Sequence, residues 1–220
     1  MNNNQLTTIN QNAKSALIKS KNLLDITRKI LDKKELMKSF EFKPFLIKGH
    51  SYHVNSIAIS PDGKYIVSGS ADQTIKIWDI KTAECLNTLE GHSDSVNSVT
   101  ISPDGKYIVS GSDETIKIWD IKTGECLNTL EGHSSSIRSV VISPDGKYIV
   151  SGSADQTIKI WDIKTGECLN TLEGHLWSVN SVAISPDGKY IVSGSDDETI
   201  KIWDIKTGEC LNTLEGHLWS

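Results

Sequence analysis

Serine, histidine and aspartate are the parts of a nucleophilic triad, and this 220-residue chain carries them together four times. The sets are His50, Ser68 and Asp72; His92, Ser110 and Asp113; His133, Ser151 and Asp155; and His175, Ser193 and Asp197. Acyl transfer would need each serine exposed beside oxyanion donors, for example on a sharp strand-to-helix elbow, and the sequence around these serines offers none. A fourth residue accompanies every set: Trp78, Trp119, Trp161 and Trp203 each lie six residues after the aspartate. A triad has no use for that tryptophan. The acidic pairs Asp113-Glu114 and Asp196-Asp197-Glu198 do not follow the oxygen spacing of a calcium loop, so neither a metal nor another cofactor is expected.

What positions these residues is a repeat. Gly-His recurs at residues 49, 91, 132, 174 and 216, and Trp-Asp at 78, 119, 161 and 203, so the period is 42 with one step of 41. Units of this length are supersecondary modules that bury their faces only against neighbours. Within the last full unit, "SVNSVAIS", "KYIVSGS", "TIKIWD" and "CLNTLEG" read as short strands. "TIKIWD" alternates with period two, and Ser185-Pro186-Asp187-Gly188 is turn chemistry. Four strands per unit predict one antiparallel sheet per unit. The second unit is a residue short, with "SGSDET" where the first has "SGSADQT". The loss falls before Asp113, which tightens one turn and puts the placing of Ser110 in question.

These residues resemble the WD-repeat β-propeller family, with Gly-His opening and Trp-Asp closing each unit and a Ser-Pro-Asp-Gly turn of the bacterial type. The resemblance covers about residues 43–220 and implies an all-β fold of four four-stranded antiparallel blades in an incomplete or open ring. The implied division is an outer strand lacking its own blade at 42–50, blades at 51–91, 92–132, 133–174 and 175–216, and a stub at 217–220. It also implies that Ser68, Ser110, Ser151 and Ser193 join a buried relay: indole N–H to hydroxyl, hydroxyl to imidazole, imidazole to carboxylate. Donor-only Trp and acceptor-only Asp end such a chain with no group unpaired. Ser70, Ser112, Ser153 and Ser195 share strand parity with the chosen serines and compete for the same role.

Between the third and fourth units seven positions differ. Ile137/Val179 and Val141/Ala183 are apolar exchanges. The others are Ser134/Leu176, Ser135/Trp177, Arg138/Asn180, Ala154/Asp196 and Gln156/Glu198, just after Gly-His or in the turn bearing the aspartate. In a propeller both segments open onto one face. That face is expected to bind protein or peptide partners through His53, Ser95, Ser136 and Ser178, then Asn55, Asn97, Arg138 and Asn180, with Asp94 and Asp196 and with Tyr52 and Trp177 as aromatic anchors.

Residues 1–48 carry ten Lys/Arg against four Asp/Glu, and the remainder thirteen against twenty-four. An acidic body is poorly suited to a phosphate backbone, so the repeats are not expected to bind nucleic acid. A disordered stretch over 1–11 is expected to precede an amphipathic helical arm over 12–41, where Leu17, Leu24 and Leu31 share a side. That arm docks on a protein surface or, alternatively, touches an anionic membrane. The start of the sequence shows no signal-peptide pattern, which predicts a cytoplasmic protein. Cys85, Cys126, Cys168 and Cys210 fall one per unit and predict reduced, partly buried thiols. Four blades leave a ring unclosed and expose apolar faces at both ends. The expectation is therefore a fragment of a longer repeat protein, or a chain that completes its ring by self-association. In function the sequence points to a non-enzymatic interaction scaffold. The alternative is the sensor or regulatory domain of a larger signalling or defence protein.

Overall fold

A computed structural model describes residues 49–216. The expected arm, most of the 42–50 strand and the 217–220 stub lie outside them. Sixteen strands form four antiparallel sheets, each built from consecutive strands in chain order. Sheet one is β1 (Val54–Ile59), β2 (Tyr65–Ser70), β3 (Ile75–Asp79) and β4 (Cys85–Leu89). Sheet two is β5 (Ser98–Ile101), β6 (Tyr107–Gly111), β7 (Thr115–Asp120) and β8 (Cys126–Glu131). Sheet three is β9 (Ile137–Ile142), β10 (Tyr148–Ser153), β11 (Ile158–Asp162) and β12 (Cys168–Leu172). Sheet four is β13 (Val179–Ile184), β14 (Tyr190–Ser195), β15 (Ile200–Asp204) and β16 (Cys210–Leu214).

Each turn has its own chemistry. Between the first two strands of sheet one, Ser60 Oγ donates to Asp62 Oδ1 at 2.7 Å, and Gly63, at φ 68°, donates its N–H to Ser60 O at 2.8 Å. Between β3 and β4, the aspartate of Trp-Asp closes the turn: Asp79 Oδ1 accepts from the N–H groups of Lys81 and Thr82, both at 2.8 Å. Both devices recur in every sheet.

The cores lie between sheets. Val67, Ile75, Ile77 and Leu89, on the trailing face of sheet one, pack with Val96, Val99, Ile108 and Trp119, on the leading face of sheet two. The same eight positions meet between sheets two and three, and between three and four. Strands touch their counterparts across these interfaces near the first strand of each sheet, β1 with β5, β5 with β9 and β9 with β13. The sheets therefore converge on their first strands and fan outward to their fourth. Hydroxyl staples run along that inner line, with Val99 N–H donating to Ser56 Oγ and Val140 N–H to Ser98 Oγ, both at 3.0 Å, and Val182 N–H to Ser139 Oγ at 3.3 Å.

One expectation is corrected. The four cysteines are exposed rather than partly buried, each the first residue of an outer strand, and Cys85 Sγ donates to Asn87 O at 3.4 Å. Each pairs with its tryptophan just past a register shift, at the outer edge of the sheet and outside the inter-sheet core.

Candidate functional site

Two segments of each sheet meet at the same end: the loop after Gly-His and the turn between the second and third strands. In sheets one, three and four they are bonded directly, Ala71 N–H to His53 O at 2.8 Å, Ala154 N–H to Ser136 O at 2.9 Å and Asp196 N–H to Ser178 O at 3.0 Å. The Ser-Pro-Asp-Gly and Asp-Ile-Lys-Thr turns occupy the other end.

Beneath the loops runs a hydrogen-bond chain. In sheet three Trp161 Nε1 donates to Ser151 Oγ at 2.9 Å, Ser151 Oγ lies 2.7 Å from His133 Nε2, and His133 Nδ1 lies 2.7 Å from Asp155 Oδ2. A carboxylate only accepts, so Nδ1 carries the proton, Nε2 accepts, and the serine hydroxyl donates to it. Sheet four repeats this with Trp203, Ser193, His175 and Asp197 at 2.9, 2.7 and 2.7 Å. Sheet one does so with Trp78, Ser68, His50 and Asp72 at 2.8, 2.7 and 3.0 Å. The competing serines turn elsewhere, Ser112 Oγ donating to Ser95 O and Ser153 Oγ to Ser135 O, both at 2.9 Å. Ser195 Oγ likewise donates to Trp177 O at 3.1 Å.

The order serine, histidine, aspartate is that of a triad, but each serine is at most 4% exposed and already takes an indole N–H. A substrate carbonyl has no approach to these hydroxyls. Among the described residues no group of three or more His, Cys, Asp or Glu side chains is arranged to hold a metal ion.

The aspartate end is anchored more firmly than the sequence indicated. Asp155 also accepts from Ser134 N–H at 3.1 Å, Thr157 N–H at 2.9 Å and Thr157 Oγ1 at 2.7 Å. Burial pushes its pKa up, but the hydrogen bonds from Thr157 and His133 outweigh it and hold the carboxyl below the usual carboxylate range. The threonine, two residues after each aspartate, was a signal within the repeat that sequence reasoning passed over.

Sheet two departs from the pattern. Ser110 is in place, accepting from Trp119 Nε1 at 2.8 Å and lying 2.7 Å from His92 Nε2, but His92 Nδ1 is buried with no partner. Asp113 is exposed and accepts instead from Ser136 Oγ of sheet three at 3.2 Å. Its expected place opposite His92 is therefore corrected. The other sheets turn through three residues, one of them at positive φ (Gln73, Gln156 or Glu198), whereas Ser112 N–H reaches Thr115 O across only two. The shorter turn does not carry its aspartate back to the histidine. With burial and then the Lys117 charge acting on an imidazole that no carboxylate faces, the His92 pKa falls to about 4.

On the surface, Tyr52 is 69% exposed and Trp177 64%, and His53, Asp94, Arg138 and Asp196 are exposed as well. Ser95 and Ser178 are half-buried. Asn55 and Asn180 are exposed and Asn97 is half-buried; Asn55 Nδ2 donates to Val96 O at 3.2 Å and Asn97 Nδ2 to Ile137 O at 3.0 Å, tying consecutive sheets, while Asn180 bonds to Asp196. A repeated Asn beside an inter-sheet carbonyl thus also ties the stack. Arg138 replaces this asparagine in sheet three and leaves its guanidinium on the surface.

The family model of the WD domain, G-beta repeat, matches this chain at residues 42–79, 83–120, 124–162 and 166–204. Among curated proteins the chain is similar to the "Ribosome biogenesis protein BOP1 homolog" of Aedes aegypti, 39% identical over 61 residues, 28% of this chain and 7% of that protein. It is similar to the homolog of Drosophila grimshawi, 51% identical over 43 residues, 20% of this chain and 6% of that one. The "Ribosome biogenesis protein bop1" of Danio rerio is 38% identical over 66 residues, 30% of this chain and 8% of that protein. In each case the aligned stretch spans less than a tenth of the relative's length.

Proposed function

Since this chain belongs to the WD-repeat family, we propose that it is a non-enzymatic scaffold whose loop-bearing end captures a protein or peptide partner. One observation carries this reading. Five of the seven positions where the third and fourth repeats differ lie at one end of the stack, and they include the most exposed large side chains there: Leu176 is 74% and Trp177 64% exposed, with Arg138 exposed at the start of β9 and Tyr52 on the corresponding loop of sheet one. Large aromatic and guanidinium groups held on rigid strands bind partners at low entropic cost and dominate interface energies. In sheets one, three and four the buried relay beneath fixes the loops, because the aspartate holds both the histidine and the first N–H after Gly-His. Exposed Asp94, Asp113 and Asp196 at the same end favour a partner with basic as well as aliphatic side chains.

These relatives are named as ribosome biogenesis proteins. The stretches they share with this chain are 61, 43 and 66 residues long, about one to one and a half of its repeats, so what carries over is the repeat as a docking unit.

The test is affinity capture with the immobilised chain and identification of bound proteins by mass spectrometry. The double variant Trp177→Ala, Arg138→Ala should lose the wild-type partner, by at least about 30-fold for a hot-spot pair. Asp145→Ala, at the opposite end, should retain it. Capture that survives the double variant overturns the proposal.

A further inference from the structure

Among the described residues, three copies of one interface hold the four sheets together, and half of a fourth stands at each end. Inside, the residues that meet across an interface are at most 5% exposed. At the leading face of sheet one, the counterparts Val54 and Ile57 are 51% and 67% exposed. At the trailing face of sheet four, the counterparts Val192 and Leu214 are 37% and 45% exposed. Each face has the shape and residue types that, elsewhere in the chain, are covered by the other.

The fit is specific as well as apolar. Gly69, Gly111 and Gly152 form notches on three trailing faces. A Cβ added there would lie 2.6 Å from Val96 Cγ1, 2.6 Å from Ile137 Cγ2 and 2.7 Å from Val179 Cγ1 respectively. Those three side chains are knobs from the next leading face, and Val54 is the matching knob of sheet one. Gly194 is the matching notch of sheet four and has nothing within 4 Å of its added Cβ. Ser181, exposed here, stands where Ser56, Ser98 and Ser139 staple the following sheet.

We propose that a second copy of this chain seats the leading face of its first sheet on the trailing face of sheet four, with Val54 in the Gly194 notch, so that chains associate head to tail. The occupant is another copy because the complement of the trailing face is a patterned surface, a branched knob opposite a glycine with the next branched residue three positions on, and this chain presents it. The two faces differ, so the contact is heterologous and either closes a ring or extends a row. The proposal uses faces between sheets rather than the loop-bearing end and stands independently of the partner-capture reading.

The test is mass by light scattering during gel filtration of the full 220-residue chain over a dilution series. The expected result is two or more 24.2 kDa chains per particle. Gly194→Leu fills the notch, where open space leaves the sheet itself undisturbed, and Val54→Arg charges the exposed knob. Each variant alone should run as a single chain with an unchanged circular dichroism spectrum. An equimolar mixture should recover a two-chain particle, because one variant keeps its leading face and the other its trailing face. Wild-type chain that stays single at every concentration overturns the proposal, leaving a blade from another source as the occupant. So does association that ignores both variants, or a mixture that stays single.

Discussion

Asp155 and Asp113 occupy the same place in the repeat, six residues before a tryptophan, and should respond very differently to truncation. In Asp155→Ala, four donors lose an acceptor: His133 Nδ1, Ser134 N–H, Thr157 N–H and Thr157 Oγ1. The His133 side chain is 0% exposed, so its Nδ1 proton finds no water and costs about 1–3 kcal/mol. The Thr157 donors, partly reached by water, add about 0.5–1 kcal/mol each. The sum is about 2–5 kcal/mol, the cost of leaving a buried donor without its acceptor. In Asp113→Ala the only loss is an exposed bond from Ser136 at 3.2 Å, worth about 0.5 kcal/mol or less. Urea unfolding followed by circular dichroism and tryptophan fluorescence reads the difference. At a slope of about 2 kcal/mol per M, Asp155→Ala should lower the midpoint by about 1–2.5 M and Asp113→Ala by less than about 0.3 M. Equal shifts for the two would refute the assignment of a complete relay to sheet three and a broken one to sheet two.

Acid should destabilise the chain well above the carboxylate range. The folded His92 pKa, about 4, lies below the ordinary 6.5, so from pH 6.5 downward the unfolded chain takes up a proton that the folded chain refuses. Stability then falls by up to about 3 kcal/mol as pH drops from 6.5 to 4, with buried His133 acting in the same direction, and NMR titration of His92 checks the pKa directly. His92→Gln should flatten that slope. Gly111→Ala should cost about 1–3 kcal/mol by overpacking against Ile137, while Gly194→Ala, facing open space, should leave the single chain's thermal midpoint unchanged. Ala83 sits at φ 58° where the other sheets have Gly124, Gly166 and Gly208, so Ala83→Gly should add about 0.5–1 kcal/mol and raise the thermal midpoint by a few degrees.

The strands were legible because their signals are local. Ile75-Lys76-Ile77 alternates inward and outward as period two requires, and Ser60-Pro61-Asp62-Gly63 can do little but turn. The relay members were legible because their types and spacing recur. Position along the chain, however, does not settle which oxygen a side chain reaches. Asp113 keeps its distance to Trp119 in sequence, yet a turn one residue shorter takes it to the surface. That Asn55 and Asn97 also tie consecutive sheets was not legible, because an amide beside a neighbouring sheet's carbonyl is a tertiary fact no single unit contains. The cysteines misled for a similar reason, since a small apolar type suggests burial while the outer strand begins beyond the inter-sheet core.

The sheets stack so that the indole N–H of Trp78, Trp119, Trp161 and Trp203 each ends on a serine hydroxyl. Hydrogen exchange of the indole N–H groups, read by NMR in the folded chain, tests this directly. Trp119, Trp161 and Trp203, at most 2% exposed, should exchange orders of magnitude more slowly than Trp177, which is 64% exposed. Exchange of those three at the Trp177 rate would contradict it.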